Sequence, residues 1–323
     1  MLLRSPLVLA ALLCGALPCL AAHPAHAREP RRFFLSGDGT LSIRSTKNRF
    51  RFNGRFRTRD GRYLPAALRR INRVIGTRYS DRAARVSLRF IEVLSFLRAT
   101  LHGGVITVSS GYRSPRYNRS LRAKGRTVAK ASLHQYGMAA DLHIARVAPK
   151  LLWQTAKKHR VGGAGYYKSR WVHIDVGPPR SWTQGTANVR KGVSDDNKRL
   201  IVVPELDRYR SGETMSLRLA RMTAYPLGVR QRWILEKIEG ADAAVKVLAS
   251  RAVTPRRPRG APRSRGGCTR YRSIAALSGF SLRLSGLAPG RYRVRVGFCA
   301  IKWPAMPKEI VSRPFEVLAP PKR

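Results

Sequence analysis

SLHQYGMAADLHI, residues 132–144, places His134 and Asp141 seven positions apart, with Gly137 between them and small apolar residues leading into the aspartate. Gly137 lets the chain turn between the two polar side chains. Asp141 to Ile144 then reads as a short strand. A buried strand needs neither a histidine nor a carboxylate at its mouth, so the pair points to chemistry. A second stretch, WVHIDV at 171–176, also reads as a strand. Its period-two alternation puts His173 and Asp175 on one face and turns Val172, Ile174 and Val176 to the core. After residue 27 the histidines are His102, His134, His143, His159 and His173. Two of these, His134 and His173, together with Asp141, make a ligand set suited to catalytic zinc with a fourth position left for water. Such an ion lowers the pKa of water and polarises a carbonyl.

Around these two stretches short helices and strands alternate. Residues 33–60 carry Leu41, Ile43, Phe50, Phe52 and Phe56 with Gly-Asp-Gly and Asn-Gly punctuation, a hairpin pattern. Pro65 opens a helix with Leu68, Ile71, Val74 and Ile75 on its apolar face. Ser80-Asp81 is placed to cap a longer helix through Val86, Phe90, Leu94, Leu97 and Leu101, stopped by Gly103-Gly104. Val105 to Val108 is a strand, Asn118 to Lys124 a short helix, and Pro149 to His159 another helix. The fold class expected is α+β: a small, mainly antiparallel sheet with flanking helices. From Trp182 to Asn197 the chain turns polar and loses its pattern. We place a linker at 186–198 and an all-β domain at 199–323. There Met215, Leu217 and Leu219 alternate, as do Tyr292, Val294 and Val296, which reads as an immunoglobulin-like sandwich. The stretch TPRRPRGAPRSR, within 251–265, is proline-rich and basic and is expected to be mobile.

Composition sets the environment. The chain has 323 residues, with 64 Lys plus Arg against 17 Asp plus Glu, a formal charge of +47. Such a surface favours polyanions: nucleic acid, acidic lipid headgroups or an anionic envelope polymer. Residues 1–27 begin with Arg4, continue through an apolar run from Leu7 to Leu20 and end on Ala25-His26-Ala27. That is a secretory signal with an A-x-A cleavage site, so the expected location is the periplasm. Export leaves a first domain from residue 28 to 185. It also removes Cys14 and Cys19 and leaves Cys268 and Cys299, an even pair in an oxidising compartment and hence an expected disulfide. The export signal, and the absence of a basic motif interleaved with aromatics, argue against nucleic acid as partner.

SSGYRS at 109–114, SLHQYGMAAD at 132–141 and WVHIDVGPPRSW at 171–182 resemble the zinc D-alanyl-D-alanine carboxypeptidase and murein endopeptidase family, in its periplasmic murein endopeptidase branch. LSIRS at 41–45, DGRYLPAALRRIN at 60–72 and VGGAGYYKSRWVHIDVG at 161–177 are similar to that branch too. The resemblance covers about residues 33–185 and none of the all-β part. It implies zinc bound by His134, Asp141 and His173, peptidoglycan as substrate, and hydrolysis of peptide cross-links or terminal D-amino acids. It implies that Arg113 binds substrate and supports a carbonyl oxygen as it becomes an oxyanion. The carboxypeptidase branch has a glutamate three residues before its last histidine; here that position is Arg170, which accepts no proton. Asp175 is then either the general base or the partner that orients His173. His143 shares a face with Asp141 and is a candidate for substrate contact or proton transfer. Ser132 is expected to hydrogen-bond near His134. Tyr166 and Tyr167 line the cleft or pack in the core, and Trp182 reads as core.

The missing glutamate keeps a rival reading: a catalytically weak wall-binding or regulatory protein that retains the fold and the metal. The all-β domain, with its arginine-rich loop, is expected to dock a protein partner or an anionic envelope polymer or lipid. The sequence leaves open which peptidoglycan bond is cut and the oligomeric state.

Overall fold

The computed structural model describes residues 30–186, 196–240, 245–301 and 303–319. The expected signal peptide and most of the expected linker lie outside the described residues. Among the described residues the fold is mixed α+β, with four α-helices and many strands. Among the described residues no helix is long and apolar enough to cross a membrane.

A hairpin comes first: β1 (Thr40–Ser45) pairs antiparallel with β2 (Arg51–Arg55), burying Leu41, Ile43 and Phe52. Helix α1 (Pro65–Ile75) has proline in its first turn and ends on Gly76 in the left-handed region. Its buried stripe is Leu68, Ile71, Val74 and Ile75, as the spacing predicts. Helix α2 (Leu88–Thr100) begins seven residues later than Ser80-Asp81 suggests. Asp81 accepts from the amides of Ala83 and Ala84, but only in a local turn. The next residues are held extended by distant partners: Val86 N–H donates to Asn72 Oδ1 and Ser87 N–H to the Gly137 carbonyl.

The remaining elements are β3 (Ile106–Ser110), α3 (Pro115–Ala123), β4 (Ala139–Ile144), α4 (Pro149–Lys158), β5 (Gly163–Tyr166), β6 (Val172–Asp175) and β7 (Arg180–Thr183). They complete a seven-stranded sheet in the order β2-β1-β3-β4-β6-β5-β7. Its β1–β3 and β5–β7 pairs are parallel and the others antiparallel. Register builds the centre of interest. In the β4–β6 pair Asp141 lies opposite His173, and Ala139 opposite Asp175.

The described residues from Ile201 onward form strands, apart from a short 3-10 turn. These are β8 (Ile201–Pro204), β9 (Arg208–Arg210), β10 (Thr214–Ala220), β11 (Leu227–Arg230), β12 (Trp233–Glu239), β13 (Lys246–Val253), β14 (Cys268–Tyr271), β15 (Ser278–Arg283), β16 (Gly290–Cys299), β17 (Glu309–Val311) and β18 (Phe315–Leu318). One sheet runs β15-β10-β8 and a larger one runs β13-β12-β16-β11-β14, with β17, β18 and β9 joined to it through β16. A second hydrophobic core lies here, built on Met215, Leu217, Trp233, Phe280, Val294 and Phe298. Cys268 and Cys299 are bonded to each other. Gly228 of β11 lies against the bridge, where a Cβ would sit 2.2 Å from the Cys299 carbonyl oxygen and 3.0 Å from its Sγ.

Two expectations change. The basic loop after β13 is packed rather than loose: Arg256 exchanges both backbone hydrogen bonds with Ser281, and Pro255 and Pro258 are buried. Trp182 lies on β7, half-buried over the His173 ring rather than in the core.

Candidate metal centre

His134 sits in a 3-10 turn, Leu133–Tyr136, closed by Gly137 with φ 62°. A side chain is excluded at 137, because a Cβ would lie 2.4 Å from the Ala84 carbonyl oxygen. The turn delivers His134, buried, onto the face where β4 and β6 present Asp141 and His173.

The hydrogen bonds fix which ring nitrogens face inward. His134 Nδ1 lies 2.7 Å from the Gly111 carbonyl oxygen, an acceptor, so Nδ1 carries the proton and Nε2 keeps its lone pair. His173 Nε2 lies 2.9 Å from Asp175 Oδ2, which assigns its proton to Nε2 and leaves the Nδ1 lone pair free. Those two lone pairs and Asp141 Oδ1 converge. His134 Nε2 is 3.3 Å from His173 Nδ1 and 3.5 Å from Asp141 Oδ1, and His173 Nδ1 is 3.0 Å from Asp141 Oδ1. Three acceptors this close repel one another unless a cation lies among them. Zinc bonds of about 2.0–2.1 Å in tetrahedral geometry set ligand atoms roughly 3.3 Å apart, which matches this triangle. Nitrogen, nitrogen and carboxylate oxygen are also the donor types that zinc takes.

The titration tendencies differ from group to group. Burial pushes the Asp141 carboxyl up, but the adjacent His134, then His173, hold it well below the usual range. Burial pulls His173 down, and the neighbouring carboxylates of Asp141 and Asp175 more than reverse this. His134 is lowered, because burial outweighs the attraction of Asp141.

Asp175 is fully buried and enclosed by donors. Its Oδ1 accepts from Gly163 N–H, Gly177 N–H and Arg180 Nη1, and its Oδ2 from His173 and Arg180 Nη2. Burial raises its pKa, but the His173 hydrogen bond and the Arg180 charge together hold it far below the carboxylate range. The glycines of VGGAGYY explain themselves here. A Cβ at Gly163 would lie 2.3 Å from Asp175 Oδ2, and one at Gly165 would lie 2.5 Å from the Trp182 ring. Trp182 thereby reaches His173, with ring centroids 5.1 Å apart, and donates from Nε1 to Tyr167 Oη at 3.3 Å.

Arg113 lies beside the triangle. It donates to Asp141 Oδ2 at 2.6 Å and to Ser110 Oγ at 2.9 Å, which leaves other guanidinium N–H groups available. His143 shares the Asp141 face of β4 but stands outside the triangle, where Arg170 Nη2 lies 3.1 Å from its Nε2 and the Trp171 ring 5.2 Å from its own. Ser132 is buried at the start of the 3-10 turn, its carbonyl accepting from Gln135 N–H. Tyr166 stacks on Trp153 at 5.9 Å, away from the triangle, while the Tyr167 hydroxyl is raised by burial and by the nearby Asp141 charge. Arg180, Tyr167 and Trp182 are therefore the neighbours that sequence reasoning underrated. The close-set glycines at 162, 163 and 165 were the available signal.

Residues 37–182 match a family model described as "Peptidoglycan L,D-endopeptidase MepK". The "Probable peptidoglycan L,D-endopeptidase MepK" of Haemophilus influenzae is 30% identical over 145 residues, which is 44% of this chain and 77% of that protein. The chain belongs to the MepK family. The "Peptidoglycan L,D-endopeptidase MepK" of Escherichia coli K12 is 47% identical over 78 residues, 24% of this chain. That match spans 43% of the E. coli protein's own length. No solved structure gives a significant match. The MepK-family segment contains His134, Asp141 and His173 and stops before the strands from Ile201 onward.

Proposed function

We propose that the chain is a secreted zinc metallopeptidase that hydrolyses peptide cross-links of peptidoglycan, of the L,D type named for its relatives. One observation carries this reading: the converging lone pairs of His134, Asp141 and His173, whose ligand atoms lie within 4.8 Å of one another. These three residues would hold zinc. When bound, zinc supplies Lewis acidity, polarising a carbonyl and lowering the pKa of water. The chain's own groups do the rest. The Gly111 carbonyl and Asp175 fix the two imidazole tautomers and ring orientations. Of the two roles the sequence leaves for Asp175, its enclosure supports the positioning one, since every acceptor direction already faces a donor. Arg113 orients Asp141 and retains N–H groups for the substrate carbonyl oxygen as negative charge develops there.

Arg170 takes a substrate role in this reading. It is exposed, stacks over Trp171 at 5.3 Å and donates to His143. That cationic shelf beside Asp141 suits a carboxylate of the peptide stem, and His143 contacts substrate through it rather than carrying the proton. Ser132 supports the turn, and Trp182 and Tyr167 wall the cleft.

The domain reading stays as at the start: a signal peptide over 1–27, a peptidase domain over 28–185, a linker over 186–198 and an immunoglobulin-like sandwich over 199–323 as docking module. The periplasm follows from the leader and from the substrate. The enclosure of Asp175, with Arg170 where a glutamate stands in the carboxypeptidase branch, also favours a second reading, a wall-binding protein with little turnover. Digestion of purified sacculi separates the two. The wild type should convert cross-linked muropeptide dimers to monomers, and His134→Ala or added chelator should abolish this. Equal product from wild type and His134→Ala would defeat the zinc mechanism. Binding to sacculi without product would favour the second reading.

A further inference from the structure

A cavity of about 480 Å³ opens where the turn before α2 meets β10, β15 and the loop after β13. Six arginines line it: Arg82 and Arg85 from the turn, Arg218 from β10, and Arg256, Arg257 and Arg259 from the loop. Glu205 is the carboxylate that faces them, and it is paired with Arg85 at 3.1 Å. The serines of the wall add hydroxyls.

The cations are presented on fixed backbone. Arg256 is bridged to Ser281 on both sides, and Arg257 Nη1 donates to the Pro262 carbonyl. Arg218 Nη1 donates to the Tyr136 carbonyl at 2.9 Å. Guanidinium groups recognise phosphate through forked, charge-assisted hydrogen bonds. A chamber this small with this many of them matches an anion of high charge density. Neighbouring phosphates supply that density, whereas a polycarboxylate brings one charge per monomer and few monomers fit.

We propose that this cavity is a binding site for a clustered-phosphate anion, separate from the His134–Asp141–His173 centre. The anion is either the headgroup of a polyphosphorylated lipid or a soluble polyphosphate. The site joins both halves of the chain, so its occupant clamps the all-β part against the residues that precede α2.

The test is calorimetric titration of the full chain with sodium tripolyphosphate at fixed ionic strength. Arg256→Ala/Arg257→Ala/Arg259→Ala is compared with Arg49→Ala/Arg59→Ala/Arg69→Ala, which removes three exposed cations elsewhere. The expectation is one site per chain, weakened about tenfold or more by the loop triple and hardly by the control. Equal losses in the two triples would reveal diffuse attraction to a basic protein and overturn the proposal, as would titration without saturation. Sedimentation with phosphatidylcholine vesicles, plain or doped with a bisphosphorylated lipid, identifies the source. Capture by doped vesicles that needs the loop arginines assigns a lipid, and tripolyphosphate binding alone assigns a soluble anion. The readout is binding, so it stands whatever the outcome on sacculi.

Discussion

In the role proposed for it, Asp175 acts without touching substrate. It holds the proton-bearing nitrogen of His173 and is itself held by two amides and a guanidinium. Asp175→Asn keeps the shape and loses the charge. It should weaken zinc affinity about 10–100-fold, the usual cost of losing a partner behind a ligand histidine, as read by chelator competition. Unchanged affinity would mean that His173 is oriented by something else. The sequence made the proposed ligands legible and left this partner ambiguous, for a local reason. His134, Gly137 and Asp141 sit in one short motif, and strand alternation puts His173 and Asp175 on one face. The donors around Asp175 come from Gly163, Gly177 and Arg180, and no period relates those positions. Arg180 was hidden among 64 basic residues. Trp182 was read as core because its partner, His173, becomes a neighbour only when β7 pairs with β5.

At the scale of elements, most boundaries in the first half were readable, because apolar period and proline or glycine punctuation agree there. The start of α2 was not. Asn72 and Gly137 draw Val86 and Ser87 into extended backbone, and these tertiary bonds override a reasonable cap at Ser80-Asp81. The packing of the basic loop after β13 was not legible, because its composition says nothing of the Arg256–Ser281 bridge. Among the strands, Glu236 of β12 accepts from Arg293 and Arg295 of β16. Burial raises the Glu236 pKa, but the hydrogen bonds from Arg295 and Arg293 and then their charges hold it below the ordinary glutamate value. Its folded pKa is thus below its unfolded one. The stabilisation is full above the unfolded value and is lost as pH falls through the folded value. Urea midpoints measured from neutral pH down to about pH 3 should fall more steeply for the wild type than for Glu236→Gln. Parallel curves would show that this pair contributes nothing to acid sensitivity.

The whole molecule is joined by charge as well as by apolar contact. The buried Arg89 of α2 pairs with the buried Asp207, just before β9. Asp207 also accepts from Phe34 N–H, and Arg32 reaches Glu213 with a two-bond fork. The first core extends into the all-β part through Val203, Ala220 and Ile274. Removing one partner of a buried pair leaves an uncompensated charge, so Asp207→Ala should cost about 3–5 kcal/mol. Urea unfolding would check this, and a loss below about 1 kcal/mol would mean that the halves are held by packing alone. Contacts of this kind, far apart along the chain, were invisible in the sequence, which predicted two units joined by a linker.

The central claim is that His134, Asp141 and His173 hold one divalent ion. Elemental analysis of the full chain after exhaustive dialysis, with X-ray absorption at the zinc edge, tests it most directly. The account predicts one zinc per chain with nitrogen and oxygen ligands at about 2.0–2.1 Å, and loss of that zinc in His134→Ala and in His173→Ala with the fold retained. A wild type that binds no zinc, or a His134→Ala/His173→Ala chain that keeps it, would contradict the account.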